Sequence, residues 1–412
     1  MEKKYSMGRR LRHKPKGEIP RRKTESYLVQ IAKLSNLHEA FKKVKENKGS
    51  KGTDGITIEE YERDLTVNLE RLSREITSMQ YQPAPLRKVT ITNFMKKRTI
   101  AIPTVNDRVA QQAVLNIIDP TVDKHFLDCS YGYRKGKSSL DALEKMMELL
   151  KNGNHWIVKG DITGCFDNIP HEELLSLCNY YIKDRDTIRL IKTMIKQGLG
   201  GPVTDLDIML GTPQGAVISP LLANIYLHQL DEFASNRGFN LIRYADDWVM
   251  LFKTEEEARR AEEQTLGYIT GALKLSSRSK DTTGAVSHLQ QEFNFLGYTF
   301  YPVGMKPSSK AITKLLYKLP GKIDEHLKEY SKHPITIYSI VEAANKSLRG
   351  WGNYFTSGSG LKALRLMDTR VREIIRNKAI MVEENITNES LYNKYGLISL
   401  EELYQNKWNL NN

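Results

Sequence analysis

Three aspartates stand where predicted strands end, and their carboxylates could meet at one edge of a sheet. Asp161 follows the strand-like segment 156–160, and Asp246 and Asp247 lie between two apolar strands. Clustered carboxylates raise one another's pKa, and bound Mg²⁺, which prefers oxygen ligands, removes that cost. Two such ions about 3.5–4 Å apart suit in-line displacement at phosphorus. Because aspartate is also common in turns, these three residues alone do not distinguish a metal site from ordinary turn residues.

The segments around these acids alternate between strand and helix patterns. The predicted strands are residues 89–92, 98–102, 155–160, 241–244, 248–252 and 293–300. The predicted helices are residues 27–44, 57–79, 107–118, 172–182, 185–195 and 221–233. The first two strands form a hairpin with residues 93–97 at its tip, and the chain from Ser308 onward is mostly helical and basic. Strands and helices mixed in this way predict an α+β fold with a helical end.

Composition favours a polyanion-binding protein. The 412 residues predict two or three domains, and the net charge of +13 favours nucleic acid first and an anionic membrane second. No apolar run approaches the roughly 20 residues that a membrane helix needs. The three cysteines show no close pairing, which favours a reducing compartment. Residues 1–25 are predicted as a basic flexible arm that folds on nucleic acid, with a solvated tail as the alternative.

A series of short motifs in a fixed order connects the acids with the rest of the chain. In chain order they are Asn47-Lys48-Gly49-Ser50, Arg98-Thr99-Ile100-Ala101-Ile102-Pro103, Tyr131-Gly132-Tyr133-Arg134, Asp161-Ile162-Thr163-Gly164-Cys165-Phe166-Asp167, Gly211-Thr212-Pro213-Gln214-Gly215, Tyr244-Ala245-Asp246-Asp247, Phe295-Leu296-Gly297-Tyr298 and Arg349-Gly350-Trp351-Gly352-Asn353-Tyr354-Phe355. The series resembles the palm motifs of reverse transcriptases. Its last block resembles the thumb, or maturase, domain of group II intron reverse transcriptases. The resemblance implies a bacterial, endonuclease-less member of this group or a domesticated relative of it.

The resemblance also implies a right-hand polymerase: fingers, a palm with an antiparallel sheet, and a helical thumb. The expected domains are a basic arm at 1–25, fingers at 26–150, the catalytic palm at 151–305, a thumb or maturase-like domain at 306–380 and a C-terminal tail at 381–412.

The same resemblance assigns the catalytic and metal-binding residues. Asp161, Ile162, Asp246 and Asp247 are expected to form the site for two Mg²⁺ ions, which Mn²⁺ could replace. The three aspartates are also the expected catalytic residues, together with Lys280, which would protonate the departing pyrophosphate.

Five residues are expected to bind the incoming dNTP. Phe166 would lie under the sugar and leave no room for a 2′-hydroxyl, although a core phenylalanine is the alternative. Lys97 and Arg98 near the hairpin tip would clamp the triphosphate, with a solvated basic loop as the alternative. Gln214 and Gly215 are expected to meet the nucleotide and the template.

Basic residues in two regions are expected to contact the nucleic-acid backbone. They are Arg134, Lys135, Lys137, Arg349, Arg370 and Arg372. The aromatic residues Trp351, Tyr354 and Phe355 lie among the later ones and would form a helix packing seam or stack on bases.

The function implied is that of an RNA-directed DNA polymerase of the group II intron type with maturase activity. Its expected partners are an RNA template, a DNA or RNA primer, dNTPs and a cognate structured intron or non-coding RNA, in the bacterial cytoplasm and without a membrane. Two alternatives remain at this point. One is a domesticated host enzyme in antiphage defence or repair, and the other is a maturase that acts mainly as an RNA-binding splicing cofactor.

Overall fold

The computed structural model describes residues 25–93, 96–196, 210–213, 215–278, 286–329, 334–358 and 360–409. Nearly all of the predicted N-terminal arm, Gln214 and Lys280 lie outside these ranges. Within them, helices and antiparallel strands alternate along the chain, which confirms the α+β class. None of the helices in the described ranges is long and apolar enough to cross a membrane.

The first part of the chain is a helical layer with one hairpin. Its elements are α1 (Tyr27–Ala32), α2 (Leu34–Glu46), α3 (Ile58–Arg63), α4 (Leu65–Thr77), β1 (Arg87–Asn93), β2 (Lys96–Ile102) and α5 (Val105–Val122). Two helices predicted as continuous are interrupted, at Lys33 and at Asp64. The hairpin strands run to Asn93 and Lys96, so the predicted tip is shorter than five residues.

The central part carries the acids on an antiparallel sheet. Its elements are α6 (Ser139–Lys151), β3 (Trp156–Ile162), α7 (Cys165–Asn168), α8 (His171–Ile182), α9 (Arg185–Ile195), α10 (Ser219–Asn236), β4 (Asn240–Tyr244), β5 (Asp247–Phe252), α11 (Glu255–Gly271), β6 (Ser277–Arg278) and β7 (Val286–His288). The strand order is β4-β5-β3-β6, and β7 also pairs with β3. Asp161 and Asp247 are therefore strand residues, and they lie at the same end of the neighbouring strands β3 and β5.

Both faces of this sheet are buried near its middle. Val158 of β3 and Met250 of β5 pack into one core with helices α8, α10 and α11. Ile157 and Val249, on the opposite face, pack into a second core with α6 and the next sheet. Since side chains alternate between faces along a strand, Asp161 and Asp247 belong to the α6 face. The apolar residues that flank them fix the register, because a slip of one residue would exchange the two faces.

A small three-stranded sheet follows, where a single strand was predicted at 293–300. It consists of β8 (Phe293–Phe295), β9 (Tyr298–Tyr301) and β10 (Gly304–Pro307). The prediction was wrong because Leu296 and Gly297, with φ of 47° and 84°, form a tight turn between β8 and β9. The apolar residues on either side pair with each other across that turn.

The last part of the chain is a helical domain with its own core. Its helices are α12 (Ser309–Glu329), α13 (Ile337–Phe355), α14 (Leu361–Ala379), α15 (Asn388–Asn393) and α16 (Leu400–Asn409). The segment predicted as a C-terminal tail contributes α15 and α16, and its residues Ile386, Leu391, Leu397 and Leu400 are buried with α13 and α14. Residues 386–409 are thus part of the helical domain that was predicted to end at 380.

Candidate active site

Asp246 lies in the two-residue turn that joins β4 to β5. Tyr244 and Asp247 pair across this turn, and Ala245 has a φ of 59°. A positive φ at the first loop position alone is typical of a type II′ turn, where glycine is preferred. Ala245 therefore holds a sparsely populated backbone conformation, which costs roughly 1–3 kcal/mol and requires support from the surrounding structure.

The three acids converge at this end of the sheet. Asp161 and Asp247 are direct partners in the β3–β5 pair. The backbone N–H of Ile162 donates to the carbonyl oxygen of Asp246 over 3.3 Å, so the turn is tied to β3. Directly opposed residues have Cβ atoms about 4.5–5.5 Å apart on one face, and like charges placed there repel. All three aspartates are half-buried, so solvent reaches the site.

The thiol of Cys165, at the start of α7, responds to these charges. Burial, the largest cause, and the negative charges of Asp246 and Asp161 together raise the pKa of Cys165 to about 12. The positive charge of Arg243 acts in the opposite direction. The thiol of Cys165 is therefore close enough to Asp161 of β3 and Asp246 of the turn for both charges to act on it.

The arrangement fits a site for divalent metal ions that the substrate completes. Among the residues the structure describes, no group of three or more His, Cys, Asp or Glu side chains is arranged to hold a metal ion by itself. Mg²⁺ is usually held by one or two carboxylates together with water and substrate phosphates, and Asp161, Asp246 and Asp247 offer that donor set. The side chain of Ile162, predicted in the same group, is buried, so only its backbone oxygen could be a ligand.

A buried ion pair lies beneath the turn, and its two residues were not among the predicted site residues. Arg243 of β4 and Asp231 of α10 both have fully buried side chains. Nε and Nη2 of Arg243 donate to the two carboxylate oxygens of Asp231, each over 2.6 Å. The arginine also donates from Nη1 to the carbonyl oxygen of Ala245 over 3.0 Å. The available signal was a charged residue inside the apolar strand Leu241-Ile242-Arg243-Tyr244.

The segment Tyr131-Gly132-Tyr133-Arg134 packs directly on the Ala245-Asp246 turn. A Cβ atom on Gly132 would lie 2.4 Å from the backbone nitrogen of Ala245, so only glycine fits there. The carbonyl oxygen of Gly132 accepts a hydrogen bond from Nδ2 of Asn224 over 2.8 Å. This motif therefore supports the turn through close backbone packing.

The predicted nucleic-acid contact of Arg134 disagrees with its geometry. Its side chain is 7% exposed, and Nε donates to Asp123 over 2.7 Å. Its remaining nitrogens donate to carbonyl oxygens that include those of Leu127 and Ser130, and to Asp123. Because all three guanidinium nitrogens are engaged within the protein, Arg134 organises its own loop.

The other predicted contacts differ in their exposure. Lys135 and Arg349 are exposed, whereas Lys137 donates to Asp128 over 2.9 Å and lies over the ring of Tyr131. Arg370 is exposed and pairs with Glu373 over 3.3 Å. Arg372 is half-buried and donates to the carbonyl oxygen of Asp368. The rings of Trp351 and Phe355 stack with centroids 4.4 Å apart and pack against the apolar cores, which gives them the packing role.

The residues predicted to bind the nucleotide surround the acids in part. Phe166 is half-buried against the main core, two residues before the exposed end of α7. A Cβ atom on Gly215, which has a φ of 112°, would lie 2.6 Å from the carbonyl oxygen of Ala101, so this glycine permits close contact with β2. Lys97 and Arg98 lie in β2 and pair through their backbones with β1, and their side chains are outside the described part. The dNTP contacts of these residues stay predictions.

Comparison with known proteins identifies the family. Residues 86–300, more than half of the chain, match the family model described as "Reverse transcriptase (RNA-dependent DNA polymerase)". The chain is 27% identical to the "Group II intron-encoded protein LtrA" of Lactococcus lactis subsp. cremoris, and the match covers 79% of this chain and 69% of the relative. It is 28% identical to "Protein YkfC" of Escherichia coli (strain K12), and this match covers 68% of this chain and 84% of the relative.

A solved structure titled "Partial Cas6-RT-Cas1--Cas2 complex" contains a chain that is 26% identical, with a TM-score of 0.39 and 61% of this chain and 43% of that chain covered. The family match spans β1 to β9, which includes all three acids, the sheet that carries them and α10 beneath it. The α+β architecture with a helical end agrees with the right-hand polymerase fold that the resemblance implied. The chain belongs to the reverse transcriptase (RNA-dependent DNA polymerase) family.

Proposed function

We propose that this RNA-directed DNA polymerase extends a primer 3′-hydroxyl with dNTPs at the end of the sheet where Asp161, Asp246 and Asp247 meet. The observation that carries the proposal is the direct pairing of Asp161 with Asp247 beside the turn of Asp246. Mg²⁺ ions bound there would activate the attacking oxygen and neutralise the leaving group, and Mn²⁺ offers the same chemistry. Clustered carboxylates on rigid strands are suited to hold such ions without rearrangement.

The chain's own residues would position the substrates. The hydrogen bond from Ile162 to the carbonyl oxygen of Asp246 fixes the distance between the two strands that carry the acids. Phe166 follows Asp161 by five residues and is half-buried, which supports a role in excluding a 2′-hydroxyl. Holding the reactants in this orientation would accelerate the reaction, because catalysis of phosphoryl transfer consists mostly of positioning and charge stabilisation.

We further propose that the protein binds a structured intron RNA as a maturase. The names of two curated relatives support this, "Group II intron-encoded protein LtrA" and "Nuclear intron maturase 4, mitochondrial" of Arabidopsis thaliana. They favour the intron-type function over the host-defence alternative. The net charge of +13 and the exposed Arg349 and Arg370 of the helical domain provide the attraction to RNA. The three free cysteines support a reducing compartment such as the bacterial cytoplasm.

The test is extension of a DNA primer on an RNA template with dNTPs and Mg²⁺. Asp246→Ala should lower the extension rate about 10³-fold, because it removes a carboxylate that would hold the metal ions that stabilise charge in the transition state. Asp186→Asn, an exposed acid on α9, is the matched control and should keep the wild-type rate.

Binding of a group II intron RNA separates the two activities. Asp246→Ala should bind the RNA as tightly as the wild-type protein in a filter assay. Undiminished extension by Asp246→Ala would refute the assignment of the site. Absence of extension by the wild-type protein, together with tight RNA binding, would favour the splicing cofactor instead.

A further inference from the structure

The catalytic turn rests on a buried arginine whose partners come from three separate segments. Arg243 occupies the face of β4 opposite to Ile242, which packs on the α6 side, so its side chain points toward α10. It is the penultimate residue of β4, and only Tyr244 separates it from the strained Ala245. No solvent reaches the guanidinium or the Asp231 carboxylate.

The guanidinium group of Arg243 donates five hydrogen bonds, and we call the residues that accept them its anchors. Two come from α10, where Asp231 accepts from Nε and Nη2 and Asn224 accepts from Nη1 over 3.0 Å. Asn224 and Asp231 are seven residues apart, which places them two turns apart on one helix face. A third anchor is the hydroxyl oxygen of Ser130, which accepts from Nη2 over 2.7 Å. The fourth contact is the carbonyl oxygen of Ala245 in the turn itself.

Backbone hydrogen bonds also connect the end of β4 with residues 129–131. The N–H of Arg243 donates to the carbonyl oxygen of Cys129 over 2.8 Å, and the N–H of Tyr131 donates to the carbonyl oxygen of Arg243 over 2.9 Å. Asn224 reaches in the other direction to Gly132, the residue that packs on Ala245. The turn is thus enclosed between Arg243 below and Gly132 at its side.

We propose that Arg243 is a positioning residue that sets the backbone of the Ala245-Asp246 turn and thereby the location of the Asp246 carboxylate. The inference rests on the proposed function of Asp246. A buried ion pair is weak evidence for stability, because well-packed apolar residues are often as stable. Here the pair places one further donor on a carbonyl oxygen of a strained turn, and strained turns persist only where contacts over-determine them.

The fork of the guanidinium is the feature that lysine cannot reproduce. Arginine presents five N–H donors in a fixed plane, and here they reach two oxygens of Asp231 and the oxygens of Asn224, Ser130 and Ala245 at once. Lysine retains the positive charge but offers three donors from one atom. Arg243→Lys therefore preserves the charge beside Asp231 and releases the turn.

The experiment measures turnover, metal dependence and local order of the full-length protein. For Arg243→Lys we expect turnover per folded molecule to fall roughly 10²-fold, the effect typical of a 1 Å misplacement. The half-activating Mg²⁺ concentration should rise about tenfold, as when a residue that orients a ligand is lost. Hydrogen–deuterium exchange should accelerate in peptides covering residues 240–248, with the dNTP KM changed less than about twofold.

Arg108→Lys is the matched control. Arg108 is a buried arginine of α5 whose Nη2 donates to the carbonyl oxygen of Ser50 over 2.7 Å. Its replacement should lower the unfolding midpoint without moving the half-activating Mg²⁺ concentration or exchange at 240–248. If Arg243→Lys behaves in the same way, the positioning role is refuted and Arg243 is purely structural.

Asn224→Ala provides a milder variant if Arg243→Lys does not fold. It removes one anchor of Arg243 and the bond to Gly132, and it should shift the same three readouts in the same direction by several-fold. Unchanged readouts in a folded Asn224→Ala would overturn the proposal. The Asp246→Ala variant is assayed in parallel: if it remains active, the proposed function has failed, and if it is inactive, only the role of Arg243 is at issue.

Discussion

The palm and the helical C-terminal domain use arginine in opposite ways. In the palm, Arg243 and Asp231 are fully buried and joined by two hydrogen bonds of 2.6 Å. In the helical domain, Arg365 pairs with Glu401 over 2.7 Å, but the arginine side chain is 58% exposed. The distances are similar, so the surroundings make the difference. The palm applies charge to fix backbone geometry, and the helical domain presents charge to solvent.

The energetic consequence follows from solvation. An exposed ion pair gains little, because water screens both partners and their side chains lose freedom. A buried pair is costly to assemble, and removal of one partner leaves an uncompensated charge in the interior. The comparison therefore predicts that conservative changes of one charge have large effects beneath the Ala245-Asp246 turn and small effects in the helical domain.

The largest expected effect is on the free energy of unfolding. Asp231→Asn keeps the shape of the side chain but leaves the Arg243 cation buried without its counter-charge, and it should destabilise the protein by about 3–5 kcal/mol. Glu401→Gln makes the equivalent change beside the exposed Arg365 and should leave the urea midpoint unchanged. Equal effects of the two substitutions would contradict the contrast between the regions.

The effect of Asp231→Asn on stability should also depend on pH. Burial alone would raise the pKa of Asp231, but the Arg243 guanidinium, with a smaller contribution from His228, outweighs it and holds the pKa of this carboxyl below its usual value. A lowered pKa in the folded state stabilises the protein above the unfolded pKa of about 3.9, and this stabilisation is lost as pH falls through the folded value. The stability difference between wild type and Asp231→Asn should therefore shrink as the pH falls below about 4.

Much of the catalytic site could be predicted from the sequence, because it consists of short motifs on apolar strands. The strands on either side of Asp246 and Asp247 were predicted nearly to the residue, since apolar runs bounded by a polar turn have few alternatives. The α+β class followed from equally local patterns of strand and helix periodicity. The roles of the individual side chains toward metal and nucleotide stay predictions.

The features that sequence could not supply depend on contacts between distant segments. The partner of Arg243 is set by how α10 packs beneath β4, and its third anchor, Ser130, is more than one hundred residues away. Arg134 looked like a nucleic-acid contact because a basic residue in a glycine-containing loop gives no sign of its burial. Residues 386–409 looked like a tail because α15 and α16 are short and acquire their stability from packing on α13 and α14.

A smaller effect is expected on the choice between dNTP and rNTP, which would depend on the space beside Phe166 and not on charge. Phe166→Val should lower the preference for dNTP over rNTP, measured as a ratio of kcat/KM values, by at least roughly tenfold, because it opens space for a 2′-hydroxyl. Phe239→Val is the matched control, since Phe239 is also partly buried against the same core. An unchanged ratio in Phe166→Val would assign this ring to the core alone.

The smallest effect is expected for a single charge of the helical domain. Arg370→Gln removes an exposed cation, and if Arg370 neutralises one phosphate, the slope of log affinity against log salt should become shallower by about 0.7–0.9. Between 50 and 200 mM salt that corresponds to roughly a threefold change in relative RNA affinity. Lys45→Gln is the control. Lys45 of α2 is an exposed charge paired with Glu62, outside the helical domain, and its replacement should leave the slope unchanged. Equal slopes for wild type and Arg370→Gln, measured by filter binding at four salt concentrations, would show that exposure on this domain does not by itself produce a phosphate contact.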